Sequence, residues 1–414
     1  MTRVLRLEAR RSAALGAALA LVVVGVVLLT DFKRFGRPGW MSAVLDQRLA
    51  LIVLWPVALA AGAWQGRREH RAGVGELFST TPLPRRSRAL PTAVVLGSAL
   101  VVAYLLTALV PASSVALPQD YVPLAVPAVL VVGALSLVAA AWLGLGIGRF
   151  LPHLVTAPVL TVVGFGVLLS GQALGDGQRW IAAALSPVTK PASLPDYFTV
   201  PASVILAQSV WLAALAGAGL VLVSAGGRRT VASAGLLAVL GAGVALATVP
   251  HTTDPDLVPD PDAVRLVCAD GGPRVCVTRV HAALLPATTP LAREGLALLS
   301  RLPGAPTAAV EDYGWLEPAR QPQRRDVVLV DPELFAATGG GGGGLEGAAD
   351  EHLDAAAQAE NFLVRMLSGA GTGTRYCAGA TVSDRAARAA AAYWLLRKEP
   401  ATGPGGEQPD ERAL

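Results

Sequence analysis

Charged residues are scarce in this 414-residue chain: Asp, Glu, Lys and Arg make up only 15% of it, against about 25% in an ordinary soluble protein. Hydrophobic residues reach 53%, and the mean hydropathy is +0.51. This composition excludes a wholly soluble or disordered protein. Lysine occurs only at positions 33, 190 and 398, and never directly after a glycine. The chain therefore lacks the Gly-x-x-x-x-Gly-Lys-Ser/Thr loop that cradles nucleotide phosphates.

The common signatures of hydrolases and metal sites are missing as well. The sequence contains neither the His-Glu-x-x-His zinc helix nor the Gly-x-Ser-x-Gly nucleophile turn. The pair Glu351-His352 does not complete the His-Glu-x-x-His motif. The Cys-x7-Cys spacing of Cys268 and Cys276 is not a zinc pattern either. We interpret the acidic residues near position 320 as solvated surface charge: Glu311, Asp312, Asp331 and Glu333. We therefore expect no catalytic residue, metal or cofactor in this chain.

Positive charge is concentrated in the first 250 residues, which hold 19 Lys and Arg against 8 Asp and Glu. Residues 251–414 hold 15 against 22. The basic excess thus belongs to an otherwise nearly uncharged segment, which is typical of arginines that flank membrane helices. The isoelectric point near 9.2 is accordingly no sign of nucleic-acid binding.

Long apolar runs fill that first segment. A helix needs about 20 apolar residues to cross the roughly 30 Å hydrocarbon core of a bilayer, and seven stretches come close to that length. They are 12–30, 47–65, 89–110, 123–147, 154–175, 201–225 and 231–249. Their interiors show no chain of carboxylates or histidines of the kind proton-driven transporters use. We interpret Gly144, Gly146 and Gly148 as helix-packing positions.

Loop charges set the expected orientation. With the N-terminus inside, the inner segments carry 13 positive residues and the outer loops carry six, as the positive-inside rule favours. The six outer positive residues are Lys33, Arg34, Arg37, Arg48, Arg179 and Lys190. Seven spans would leave the C-terminal third outside the cell.

Two connections contain more than a plain loop. The inner loop 66–88 carries six arginines and an apolar group, Val74, Leu77 and Phe78, whose spacing predicts a short amphipathic helix ended by Pro82. A loop that only fixes orientation has no need of that helix, so we favour a docking helix for a cytosolic partner. The outer loop contains a second short apolar helix from Trp180 onward, which is expected to lie at the membrane interface through Trp180, Ile181 and Leu185.

Together these features resemble the ABC-2 type permease family, the membrane subunits of ATP-driven exporters. The resemblance covers about residues 1–230 as a six-span domain. A seventh span at 231–249 and an extracellular domain are similar to an actinobacterial variant. The resemblance to the family implies that the first inner loop holds the coupling helix, which docks on the ATPase. The implied docking residues are Glu69, Arg71, Val74, Gly75, Glu76, Leu77, Phe78, Thr81 and Pro82.

The resemblance also implies the partners and the location. ATP and magnesium would be bound by a separate ATPase subunit. A second permease subunit, identical or different, would complete the transport path in the plasma membrane. No nucleic acid is implied. Two other hypotheses stay open, a membrane-anchored extracellular binding or sensor protein and a degenerate membrane peptidase. The transported substrate is not indicated.

The last third is expected to be a small α+β domain outside the cell. Residues 250–262 hold four prolines and four aspartates, which predicts a stiff linker. The domain would then span 263–414, with a disordered tail from about 400. Two β-rich runs around Asp270-Gly271 predict a hairpin that places Cys268 opposite Cys276, at a distance that suits a disulfide. Pairings that use Cys377 remain possible. In all, the sequence predicts an α-helical polytopic membrane protein with about seven transmembrane helices and this added domain.

Overall fold

The structure is a computed structural model that describes residues 14–32, 39–71, 85–115, 121–188, 197–224, 227–252, 257–311, 326–332, 355–368 and 382–398. The chain forms two compact units. The first comprises residues 1–116 and 122–258, and the second comprises residues 117–121 and 259–414.

The first unit is built from apolar helices. They are α1 Ala14–Phe32, α2 Trp40–Gly66, α3 Arg68–Arg71, α4 Arg85–Thr107, α5 Leu109–Val115, α6 Ala125–Phe150, α7 Thr156–Gln172, α8 Arg179–Leu185, α9 Ala202–Ser224 and α10 Arg228–Thr248. A 3-10 turn, Asp176–Gln178, precedes α8, and short extended segments lie at Phe198–Thr199 and Val258–Pro259.

Within the described ranges, five helical segments are long and apolar enough to cross a membrane: Trp40–Gly66, Leu90–Ser113, Ala125–Phe150, Ala202–Ser224 and Arg229–Thr248. The predicted first and fifth spans correspond to shorter apolar helices, Ala14–Thr30 and Thr156–Gln172. The chain is therefore mainly helical, as a polytopic membrane protein should be, because helices satisfy their own backbone in lipid. The number of seven spans stays a prediction.

Glycines allow α2 and α6 to pack backbone against backbone. A Cβ atom on Gly62 would overlap the carbonyl oxygen of Ala141, and one on Gly144 would overlap that of Leu59. One helical turn further along, Gly66 and Gly148 make equally close approaches to the facing backbone. Such small-residue pairs suit membrane helices, which associate by close van der Waals packing. Side chains at these four positions would force α2 and α6 apart.

The second unit contains a four-stranded sheet with strands β1 Leu266–Cys268, β2 Arg274–Thr278, β3 Ala308–Glu311 and β4 Val327–Val330, in that order. A 3-10 helix, Arg279–Leu284, and three α-helices accompany it: α11 Leu285–Leu299, α12 Ala355–Ser368 and α13 Val382–Leu396. Its core comprises Val275, Ala292, Leu296, Ala309, Val330, Phe362 and Met366.

The β1–β2 hairpin has the predicted register. The pair is antiparallel, Cys268 lies opposite Cys276, and the two form a disulfide. Gly271 and Gly272 adopt φ values of +68° and +57°, a left-handed conformation that glycine adopts at little steric cost. The next two strand pairs are parallel, which the hairpin pattern did not predict. A parallel pair needs a crossover, and α11 supplies it between β2 and β3.

Candidate functional site

Arg48 is the most unusual residue of the helix bundle. It lies inside the apolar helix α2 and is 0% exposed. A guanidinium in such surroundings is costly unless its N–H groups find acceptors. Nε donates to the carbonyl oxygen of Pro187 at 2.9 Å, and Nη2 donates to Oε1 of Gln208 at 2.6 Å. The charge of α2 is thus bonded to α9 and to the chain that follows α8.

Gln208 extends this cluster to the C-terminal end of α8. Its Nε2 donates to the carbonyl oxygens of Ala183 at 2.8 Å and Ser186 at 3.0 Å. Nε1 of Trp211 donates to the carbonyl oxygen of Leu185 at 2.9 Å. The last carbonyls of any helix lack partners within the helix and carry its negative dipole end. Side chains of α9 satisfy them here, with the cation of Arg48 beside them.

A small cavity of about 20 Å³ borders this cluster and is lined in part by Gln172, Arg179, Val200, Val204 and Gln208. That volume is close to the minimum that holds a single water molecule. It is far below the 300–1,000 Å³ typical of ligand pockets. The cluster of Arg48, Gln208 and the C-terminal end of α8, which we call the α8 anchor, bonds α2 and α9 to the end of α8.

The neighbouring residue Gln47 makes a second buried connection from α2. Its Nε2 donates to the carbonyl oxygen of Tyr104 at 2.7 Å and to Oγ1 of Thr107 at 3.4 Å. Thr107 in turn donates to the same Tyr104 carbonyl. The start of α2 is thus bonded to α4 through Gln47 and to α8 and α9 through Arg48.

The outer-loop assignment of Arg48 is wrong. Helix α2 begins at Trp40, seven residues before the predicted start of the second span, so Arg48 lies more than two turns inside it. One feature of the sequence could have indicated this buried contact: the polar residues Gln47, Arg48 and Gln208 interrupt otherwise apolar runs. Isolated polar residues in a membrane helix mark interhelical contacts or functional sites.

The predicted interfacial helix is present as α8, Arg179–Leu185. Trp180, Ile181 and Leu185 are half-buried, and the rings of Trp180 and His251 meet edge to face at 4.3 Å. Trp180 and Leu185 pack against a cluster that includes Val204. The position of α8 at the membrane interface stays a prediction.

Most of the predicted docking residues lie outside the described residues, so the docking site stays a prediction. This applies to Val74, Gly75, Glu76, Leu77, Phe78, Thr81 and Pro82. Glu69 and Arg71 lie in α3, the one-turn helix that follows α2. Arg71 is exposed, and its guanidinium carbon lies 5.6 Å from the ring centroid of Trp64.

Glu311 is not surface charge, contrary to the prediction. It is 1% exposed, because it ends β3, which lies between two other strands. Its Oε2 accepts from the backbone N–H and the hydroxyl of Thr278, at 2.6 and 2.9 Å, and its Oε1 lies 2.6 Å from Nδ1 of His281. This buried group joins the ends of β2 and β3. The predicted surface charges Asp312 and Glu333 lie outside the described residues, as does Cys377.

The part of the chain that the structure describes contains no group of three or more His, Cys, Asp or Glu side chains able to hold a metal. Comparison with protein-family models, with curated proteins and with solved structures found no match for this chain.

Proposed function

We propose that this protein is the permease subunit of an ATP-binding cassette exporter and works with a separate ATPase subunit. The observation that carries the proposal is an apolar helix bundle whose loop after α2 contains the segment 74–82 that resembles the coupling helix of ABC-2 type permeases. The absence of a nucleotide-binding loop from the sequence fits a division of labour between two polypeptides.

Helix α2 provides a direct mechanical connection in this mechanism. Arg48 and the helix end at Gly66 are 18 residues apart, or about 27 Å at 1.5 Å per residue. The ATPase would dock at the Gly66 end, whereas the α8 anchor is attached near the other end. ATP-driven closure of the ATPase would move α2, and Arg48 would transmit the movement to α8. Alternating access then follows from the displacement of α8 and α9.

Co-purification with the ATPase tests this proposal. The full chain would be co-expressed with ABC ATPases encoded beside its gene and captured from detergent extracts. We expect the triple variant Glu76→Ala, Leu77→Ala, Phe78→Ala to lose at least tenfold in ATPase capture. Arg301→Ala, an exposed arginine of the second unit, is the control and should capture normally.

Undiminished capture and transport by the triple variant would refute the assignment of the coupling helix. If no ATPase is captured by the unaltered chain, the hypothesis of a membrane-anchored binding protein gains support. That hypothesis is favoured by one observation, the separate apolar core of the second unit.

A further inference from the structure

Two arginines converge on one exposed tryptophan at the end of α2. The guanidinium carbon of Arg67 lies 5.1 Å from the ring centroid of Trp64, and that of Arg71 lies 5.6 Å from the same centroid. Trp64 is 43% exposed. Each pair lies within the range of a cation–π interaction, but two like charges beside one ring also repel each other. An anion between the two guanidinium groups would remove this repulsion and stabilise the arrangement.

Arg67 also has a hydrogen-bond donor that an anion could satisfy. Its Nη1 is buried from solvent and has no hydrogen-bond acceptor within the described part of the chain. A buried N–H without an acceptor is energetically unfavourable. Arg71 is exposed, and the ion pairs shown among the described side chains involve other residues. The group therefore has charge and donors to offer to a ligand.

The position of the group decides which anion fits. Trp64 is near the end of an apolar helix long enough to span a bilayer, and tryptophan at such ends lies at headgroup level. Arg149 belongs to the same end of the bundle, because its backbone packs against Gly66. Arginine stems can cover apolar surface while their charged heads reach the phosphates. A phospholipid offers an acyl chain to the ring and a phosphate to the guanidinium groups.

We propose that Trp64, Arg67 and Arg71 form a binding site for the phosphate headgroup of an anionic phospholipid. The two guanidinium groups donate to the phosphate oxygens, and the ring of Trp64 packs against the upper acyl chain. The bound lipid then stabilises the end of α2 directly before the first inner loop. The site concerns lipid binding by this chain alone and does not depend on the proposed ATPase partner.

Native mass spectrometry of the purified full chain tests this site. Phosphatidylglycerol is titrated into the detergent-solubilised protein, with zwitterionic phosphatidylcholine as the matched lipid. Since a basic residue near an anionic headgroup contributes about 1 kcal/mol, the variant Arg67→Gln, Arg71→Gln should bind phosphatidylglycerol about 10- to 30-fold more weakly. Binding of phosphatidylcholine should not change. The control Arg301→Gln should bind both lipids as the unaltered chain does.

Several results would overturn the proposal. One is phosphatidylglycerol affinity within twofold of the original in the double variant, and another is an equal loss in Arg301→Gln. Displacement of the lipid by millimolar inorganic phosphate would assign the site to free phosphate instead. If the double variant keeps its lipid but loses ATPase capture, the arginines serve the ATPase and the lipid site is wrong. The single variant Arg71→Gln changes only an exposed side chain, so it keeps the test valid if the double variant misfolds.

Discussion

At the scale of single residues, the buried guanidinium of Arg48 is stable only while its N–H groups have acceptors. The carbonyl oxygen of Pro187 accepts from its Nε, and the amide oxygen of Gln208 accepts from its Nη2. Removal of either partner leaves a buried polar group unsatisfied, which costs about 1–3 kcal/mol. The two residues should therefore be energetically coupled.

We predict that Arg48→Met lowers the free energy of unfolding by about 2–3 kcal/mol, measured by denaturant titration in detergent micelles. Gln208→Leu should cost a similar amount, and the double variant should cost clearly less than the two together. Arg229→Met, at an exposed position of α10, should change stability by no more than about 0.5 kcal/mol. Additive effects of the Arg48 and Gln208 variants would show that the hydrogen bond between them does not matter.

Tyr121 belongs to a polar group in the second unit. Its hydroxyl donates to Oδ2 of Asp260 at 2.7 Å, and the guanidinium carbon of Arg279 lies 5.1 Å from its ring centroid. Burial, followed by the hydrogen bond to Asp260, raises the pKa of Tyr121 well above its usual value near 10. The neutral phenol is therefore favoured in the folded state.

This shift predicts a stability loss in alkali. A group whose pKa is raised by folding contributes stability that is present below its unfolded pKa, here about 10, and is lost as the pH rises beyond that value. The stability difference between the unaltered chain and Tyr121→Phe should therefore be constant from pH 7 to 9 and shrink above pH 10. Limited proteolysis of the second unit at each pH measures it. A difference that stays constant to pH 11.5 would contradict the role given to the hydroxyl.

At the scale of elements, the crossing of α2 and α6 depends on glycines, which have no side chain to separate the two backbones. Gly62 and Gly144 let the two backbones approach closer than any Cβ would allow. Helix propensity alone would favour alanine at both positions by about 1 kcal/mol. Glycine there indicates that interhelical packing outweighs local propensity, as it does in many membrane helix pairs.

A matched pair of alanine variants separates these two effects. Gly144→Ala introduces a methyl group that overlaps the Leu59 carbonyl oxygen, whereas Gly166→Ala in α7 has nothing within 4 Å. We expect Gly144→Ala to destabilise the protein by about 1–3 kcal/mol and Gly166→Ala to be neutral or slightly stabilising. Thermal unfolding in detergent gives both values. Equal midpoints for the two variants would mean that α2 and α6 are not in close contact.

At the scale of the whole molecule, seven spans would place the loop 66–88 and the second unit on opposite sides of the membrane. The chain has only three cysteines, all within residues 251–414. The disulfide of Cys268 and Cys276 is consistent with an oxidising compartment outside the cell. An introduced cysteine in the loop can therefore be distinguished from the native ones.

We predict that a membrane-impermeant maleimide labels Glu76→Cys, made in a Cys377→Ser background, only after the membrane is opened. Conversely, an impermeant reductant applied to intact cells should make Cys268 and Cys276 available for labelling. Labelling of position 76 in intact cells would reverse the orientation. Protection of both hairpin cysteines until the membrane is opened would contradict an extracellular second unit.

Several features were predictable because they depend on local pattern. The Cys268–Cys276 register follows from the turn that Gly271 and Gly272 form, and the short helix at Trp180 follows from a brief apolar run. The burial of Glu311 was not predictable, since it depends on strands that pair with β3 from distant parts of the chain. The same holds for Arg48, whose partners Pro187 and Gln208 are 139 and 160 residues away.

The sequence by itself determined that the chain has long apolar helical runs, as a helical membrane protein does, and no nucleotide-binding loop. Apolar run length and motif spacing are local properties. Only the tertiary structure decided where its buried charges lie and what they bond. In an apolar interior each polar group must find a partner wherever the fold places one. Hence the α8 anchor and the pairing of Glu311 with Thr278 emerged only when distant segments were brought together.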